Sequence, residues 1–457
     1  FSRSYDQTKL HIPFVTKMLR HKYRPINKTA AIVFKYLAIE LVDNIEFLRD
    51  IINNDITTSL LNHQHLYSSL LILSTAGHYR FSHILLPIVF SATTNNLQII
   101  WSSVISDDLE LRLVAVKCID AHIRGLRSIA NKKDRKASIE SLFNDCMLQF
   151  QVSQITNHGP LLVCMSIFKN SMYKYIDVPS LYESVINILN IKNEISDFSA
   201  FTLLYEILKR FPHLFTPESV QLIISHLISS CQRFPSSCRL FLLIDSFIKK
   251  LNFYMIPVNS IIDFLKATIK SPKFKPQHQI VFTILKTLFL ISRDVSVPSS
   301  FFIEAEPSFA YIEALKLRMS IFNDLKPTLL KYFSDGVTPK STKNQSLISL
   351  YIVKAFSSQI IYDKNELFNQ IKILTASKYE EVRLMTAEVL SLLNIQQSFD
   401  ELLILALFDE SKRVRLSAVK EFRYPPLIAH NEMVTQILND PSFKIRRIAI
   451  PIVAQII

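Results

Sequence analysis

The chain of 457 residues contains four glycines, Gly77, Gly125, Gly159 and Gly336, where average usage of about 7% would supply roughly 30. Tight hairpins, dinucleotide-binding turns and phosphate loops all depend on glycine. A residue without Cβ takes positive φ and lets backbone approach a ligand at no steric cost. Helices manage without it. No two of the four glycines lie within 30 residues of each other, which removes Gly-x-Gly-x-x-Gly, the Walker loop and the Gly-x-Ser-x-Gly elbow. His-Arg-Asp and Asp-Phe-Gly strings are absent as well, so a protein-kinase catalytic domain is not within this sequence.

A helical reading requires an apolar core, and 49% hydrophobic with 11% aromatic residues supplies one, while 20% charged residues argues against disorder. Five scattered cysteines, Cys118, Cys146, Cys164, Cys231 and Cys238, form no Cys-x-x-Cys pair. They read as reduced thiols of an intracellular protein, with neither a disulfide framework nor a zinc site. Between Asp55 and Asp107 the one formally charged side chain is Arg80. Its apolar pieces, such as 70–73 and 84–90, are nevertheless too short for the about 20 mainly apolar residues that span a bilayer, so no transmembrane segment is expected. Phe1 stands where an initiating Met would be and Ile457 lies in an apolar run, and the sequence reads as a segment of a longer protein.

Apolar residues recur at helical spacing, as in Ile32, Tyr36, Ile39 and Val42, or Leu203, Ile207, Leu208 and Phe211. Short polar or proline-containing connectors such as 211–218, 232–236 and 270–276 separate these segments, which makes neighbouring helices antiparallel. Three tandem copies of one pattern close the chain: Val382-Arg383 with Ala387, Val414-Arg415 with Ala418, and Ile445-Arg446 with Ala449. Their arginines are 32 and then 31 residues apart. Leu111-Arg112 with Ala115 is a more distant copy. Six positions before each arginine stands a helix-starting residue, Ser106, Ser377, Asp409 or Asp440. A small residue permits close helix contact, and an arginine with five donors reaches acidic or carbonyl groups of the neighbouring unit. Each helix pair has an apolar face it cannot cover alone, so stacking builds a continuous core.

The Asp-led turn followed by Val-Arg-x-x-Ala resembles the HEAT repeat. The expected fold is all-α, a solenoid of antiparallel HEAT-type helix pairs, with a degenerate array over 1–365 and tandem repeats over 366–457 continuing it. The stretch Leu438-Asn439-Asp440-Pro441-Ser442-Phe443-Lys444-Ile445-Arg446-Arg447-Ile448-Ala449-Ile450 and the unit 403–423 also resemble the amino-terminal HEAT region of target of rapamycin (TOR) serine/threonine kinases. So do 377–393 and the helix 198–210 with the segment that follows it. That resemblance implies a non-catalytic scaffold that binds a regulatory or adaptor subunit and the rest of its own chain. It implies a cytoplasmic location reaching endomembrane surfaces, in a protein whose kinase domain lies elsewhere. The alternatives are another HEAT scaffold, namely a nuclear transport receptor, a vesicle-coat adaptor or a phosphatase scaffold. A sequence pI near 9.3 weighs against the first of these.

Candidate chemistry is sparse, and no cofactor is expected. His63 with His65 and His78 with His83 are two or five residues apart, unlike the i, i+4 spacing of a helical metal pair. His226, Cys231 and Cys238 read as packing and connector residues. The Ser-x-x-Lys strings at Ser171–Lys174 and Ser246–Lys249 lack their customary partner motifs. Basic residues cluster at Lys9, Lys17, Arg20, Lys22, Arg24 and Lys28, and at Arg124, Arg127, Lys132, Lys133, Arg135 and Lys136. With a net charge of +13, the second cluster is a candidate surface for an anionic protein or membrane; nucleic acid is disfavoured because no aromatic-interleaved binding module accompanies it. The charge-poor stretch 56–106, with helices over 59–75 and 81–93, reads either as an interior layer covered by its own neighbours or as a face partly covered by another chain or by more of the same protein.

Overall fold

The computed structural model describes residues 5–40, 67, 70–71, 74, 96–126, 131–152, 158–189, 194–292, 294–360, 363–421 and 431–454. Among the described residues every regular element is a helix. The chain divides into two compact units, one of Phe1–Phe234 with Lys250–Ile256 and the other of Pro235–Lys249 with Pro257–Ile457.

The first unit contains α1 (Tyr5–Leu19), α2 (Arg24–Glu40), α3 (Asn96–Val104), α4 (Leu109–Leu126), α5 (Lys132–Val152), α6 (His158–Lys169), α7 (Val178–Ile188), α8 (Glu194–Arg210) and α9 (Pro217–Arg233). Consecutive helices pack as pairs, α1 with α2, α3 with α4, α5 with α6 and α7 with α8, while α4, α6 and α8 stack in series. The local sequence sets the boundaries. Thr216 caps α9 by accepting the Ser219 N–H, Ser219 accepts the Thr216 N–H in return, and Pro217 supplies a preset φ in the first turn. At α7, Asp177 accepts from the Ser180 N–H, with a proline again in the first turn.

The second unit contains α10 (Cys238–Ile248), α11 (Val258–Lys270), α12 (His278–Ile291), α13 (Ser300–Ile303), α14 (Phe309–Lys316), α15 (Phe322–Gly336), α16 (Lys343–Ile360), α17 (Lys364–Ile371), α18 (Glu380–Leu393), α19 (Gln396–Phe408), α20 (Lys412–Glu421), α21 (Asn431–Gln436) and α22 (Phe443–Val453). Here α10, α12, α14, α16, α18, α20 and α22 form one file, each packed on the next. The partners α11, α15, α17, α19 and α21 each lie against the helix that follows them. This is an α-solenoid arrangement: pairs laid one on another, each covering the apolar stripe its neighbour leaves open. One apolar cluster runs from Phe333, Leu350 and Val353 through Val382, Val414 and Ile445 to Val453, with no interruption near 365. Each fully buried Leu or Ile in it contributes ~1.5–3 kcal/mol relative to exposure.

Two of the four glycines stand at close approaches between helices. A Cβ on Gly159, in the first turn of α6, would fall 2.0 Å from the Val104 carbonyl oxygen at the end of α3. One on Gly336, at the end of α15, would fall 1.9 Å from Ser349 Oγ on α16. Left-handed backbone, the other usual call on glycine, is taken instead by Ser171 after α6 and Asn394 after α18, at φ 58° and 51°.

Most of the charge-poor stretch 56–106, including almost all of the helices expected over 59–75 and 81–93, lies outside the described residues. Of its described part, Leu70, Ile100 and Val104 are buried, and Cys118 of α4 donates its thiol to the Leu70 carbonyl at 2.9 Å.

Replacing Gly159 with alanine adds helix propensity of about 1 kcal/mol but drives a methyl into a carbonyl. Overpacking outweighs the gain, and the variant is expected to lose about 1–3 kcal/mol in urea denaturation of the first unit. An unchanged midpoint would mean that α3 and α6 do not approach as closely as described.

Candidate functional site

The arginines of the repeated pattern share one geometry. Each donates to the backbone carbonyl six residues before it: Arg112 Nε to Ser106 O at 2.9 Å, Arg383 Nη1 to Ser377 O at 2.7 Å, Arg415 Nη1 to Asp409 O at 2.8 Å, and Arg446 Nη1 to Asp440 O at 2.6 Å. The residue that offers this carbonyl uses its side chain to accept the N–H two positions on, at Asp108, Tyr379, Ser411 and Ser442. Turn and helix are thereby locked together from both sides of the chain.

Two of the arginines also reach forward to the next unit. Arg383 donates through Nε and Nη2 to the two carboxylate oxygens of Asp409, at 2.7 and 3.2 Å, and again to Glu410 at 3.0 Å. Arg415 Nε donates to Asp440 Oδ2 at 2.7 Å. The Asp409 side chain is 3% exposed and that of Asp440 6%, so these charge-assisted bonds lie out of bulk water, where planar bidentate pairing is strongest. Ala418 and Ala449 are buried beside them, as are Ala387 and Ala115. On α4 the forward partner of Arg112 is His158 at the start of α6, whose Nδ1 stands 3.2 Å from Arg112 Nη1. Burial, followed by the Arg112 charge, lowers the His158 pKa from 6.5 to about 4, so the neutral ring accepts through Nδ1. Burial alone lowers His122 to about 4 as well.

A second set of cross-links between stacked helices had no repeat spacing to announce it. Asp120 on α4 accepts from Asn170 beyond α6 at 3.0 Å, and Asp245 on α10 accepts from Thr287 on α12 at 2.6 Å. Glu313 on α14 meets Lys286 of α12 at 3.2 Å and Tyr351 of α16 at 2.6 Å, and Ser391 on α18 donates to Glu421 on α20 at 2.8 Å. The Tyr351 hydrogen bond, with help from Lys286 and Lys316, holds the Glu313 pKa down at about 2. The sequence trace of this device is an acid on one helix with a donor on or just beyond a neighbouring stacked helix, at no constant offset.

The basic clusters are partly neutralised. Arg24 pairs with Asp108 and, at 3.1 Å, with Glu110, which also takes Lys28 at 2.7 Å. Arg124 pairs with Asp120 at 3.2 Å and Lys136 with Glu140 at 3.5 Å. Lys132 and Lys133 are exposed on the first turn of α5, Arg135 is half-buried, and Arg127 lies outside the described residues. The same holds for His63, His65, His78 and His83. Cys231 is buried on α9 and Cys238 exposed on α10. Lys249 is drawn to Asp245, and Ser246 Oγ donates to the Leu242 carbonyl. Among the described residues no group of three or more His, Cys, Asp or Glu is placed to hold a metal ion, and no helix is long and apolar enough to cross a membrane.

No family model and no curated protein matches the chain. A solved structure does: a chain from a complex in which Kap95p binding induces the switch loops of RanGDP to adopt the GTP-bound conformation. It matches with a TM-score of 0.61 over 100% of this chain at 12% identity, and this chain spans 61% of that one. At such identity the likeness is one of fold, a stacked helical-repeat architecture. A crystal structure of an engineered protein overlaps 95% of this chain and 96% of its own, with a TM-score of 0.35 and 11% identity, and carries no further argument.

Two expectations follow. Arg383→Met leaves Asp409 buried without its cation and should cost about 3 kcal/mol in chemical denaturation of the second unit. The double variant with Asp409→Asn should cost clearly less than the two single losses added together, and strict additivity would deny the pairing. For pH, the folded pKa of His158 and His122 lies below 6.5, so unfolding takes up protons. Stability of the first unit should fall as pH drops from 6.5 towards 4. The Glu313 contribution to the second unit is present above pH 4.5 and lost towards pH 2, so Glu313→Gln should flatten that unit's acid limb in thermal melts.

Proposed function

We propose that this chain is a non-catalytic HEAT-type scaffold segment that holds protein partners. Within that class it is the regulatory-subunit-binding region of a TOR-like serine/threonine kinase. The observation that carries the scaffold reading is the arginine system: Arg112, Arg383, Arg415 and Arg446 tie each turn to its helix, and Arg383 with Asp409 and Arg415 with Asp440 tie each unit to the next. Such a device serves to hold a long surface in fixed register and does not gather reactive groups at one point. In this reading Ala418 and Ala449 keep the stacked helices close, and 366–457 continues the array of 1–365.

The TOR assignment is supported by the run 438–450 and the units before it, and it brings an adaptor subunit as partner, a kinase domain outside this sequence, and a cytoplasmic location near endomembranes. Lys132, Lys133 and Lys136 are exposed cations that would face an acidic subunit or an anionic membrane surface. The nuclear transport receptor is the second reading, favoured by the fold it shares with the chain from the Kap95p–RanGDP complex and disfavoured by the basic pI near 9.3.

Affinity capture on the immobilised chain with quantitative mass spectrometry, alongside a titration with Ran in its GTP state, separates the two. Enrichment of a kinase regulatory subunit without saturable Ran binding is the expected result. Saturable Ran binding would transfer the assignment to transport, and enrichment of metabolite-processing enzymes alone would sink both.

A further inference from the structure

Arg383 and Arg415 hold the same register position, 32 residues apart, yet their guanidinium groups are not equally satisfied. Arg383 Nη2 donates to Asp409 at 3.2 Å and to Glu410 at 3.0 Å. Arg415 donates through Nε to Asp440 and through Nη1 to the carbonyls of Asp409 and Glu410, and its Nη2 has no partner among the described residues. One residue makes the difference. The turn aspartate is followed by Glu410 in the first case and by Pro441, 31 residues on and likewise exposed, in the second. Arg415 lines a cleft of about 640 Å³ together with Leu407, Phe408, Gln436, Asn439 and Pro441. Phe408 is 68% exposed there, and Gln436 and Asn439 are exposed amides. The cleft lies along the turns, between the α19–α20 pair and the α21–α22 pair.

We propose that this cleft binds a short acidic segment of a separate partner protein, with one Asp or Glu carboxylate paired to Arg415 Nη2 and a neighbouring apolar side chain laid against Phe408. The carboxylate takes the place that Glu410 fills one unit earlier, supplied by another molecule instead of by the turn. A planar guanidinium edge suits a carboxylate better than any neutral acceptor. Asp440 is no obstacle. Its two oxygens are already engaged by Arg415 Nε and the Ser442 N–H, and Arg383 shows that one arginine of this array accommodates two carboxylates. The segment 441–454 beside the cleft has three cations, Lys444, Arg446 and Arg447, and no acid, so it draws an acidic chain and repels a basic one. A free anion would meet the charge but leave Phe408 in water, whereas a peptide carries both features. The inference deepens the scaffold reading by naming the chemistry of one partner segment and the residues that meet it.

A phage library of random heptapeptides, depleted on the Pro441→Glu chain and then selected on the purified full chain, supplies the probes. Selected peptides should carry Asp or Glu within two residues of Leu, Ile, Phe or Trp. In fluorescence anisotropy, replacing that acid by its amide should weaken binding to the unaltered chain about tenfold. This change is made in the peptide, so the result stands whether or not any variant chain folds. Pro441→Glu, which restores the Asp-Glu turn of the preceding unit, should weaken binding by at least as much, because the site then holds a carboxylate of its own. Pro441→Gln removes the same ring without adding charge and should weaken binding clearly less. Equal losses for the two variants overturn the proposal, since the cleft would then be reading shape alone. A selection that returns no peptide, or peptides without an acid, or acids whose amides bind as tightly, overturns it too. Only the purified chain and synthetic peptides are used, so failure here leaves the scaffold reading standing, and a failed adaptor capture leaves this result untouched.

Discussion

Helices stacked in single file raise a difficulty that a globular core does not have. Every unit must be held at the same angle to the next, yet apolar stripes slide on one another at small cost. Arg383 and Arg415 remove that freedom, because the planar fork of each is satisfied by two groups at once: the carbonyl six residues earlier and the aspartate that opens the following turn. The carbonyl fixes the turn to its own helix, and the carboxylate fixes the next turn to both. Lysine, with one charged centre, could not bridge them in this geometry. Small residues follow on the same helices, where Ala387, Ala418 and Ala449 are buried.

Where the bond occurs, the sequence is explicit. The 32- and 31-residue intervals, the Asp or Ser six positions earlier and the small residues after each arginine are all visible as letters, and the helical class follows from the glycine count. The cross-links at Asp120, Asp245 and Glu313 are hidden because a lone acid in an apolar helix looks like an ordinary solvated residue until its partner on the next helix is placed 27 to 50 residues away. His158 is a more instructive case. It stands forward of Arg112 in a unit whose link is 46 residues instead of 25 or 26. A search for an acid at the usual offset passes over it, and a search for metal ligands has no reason to select it.

Glycine was legible in number but not in role. Its scarcity excludes sheets and phosphate loops. Two of the survivors mark close helix crossings, where Val104 and Ser349 occupy the space of a Cβ. Left-handed turns fall to Asn394 and Ser171, residues whose short polar side chains make that conformation tolerable. A chain poor in glycine is thus not free of tight places: Gly159 and Gly336 serve close approach, and among the described residues the left-handed positions fall to other side chains.

The arginine-to-aspartate bonds span 26 and 25 residues. Closing a loop of that size costs little entropy, and the cost does not grow as units are added, because each bond joins neighbours only. During synthesis a rung can therefore form once the next turn has left the ribosome, without waiting for the rest of the chain. Folding can also start at any unit and spread to its neighbours, so an array of this kind lengthens without adding long-range contacts.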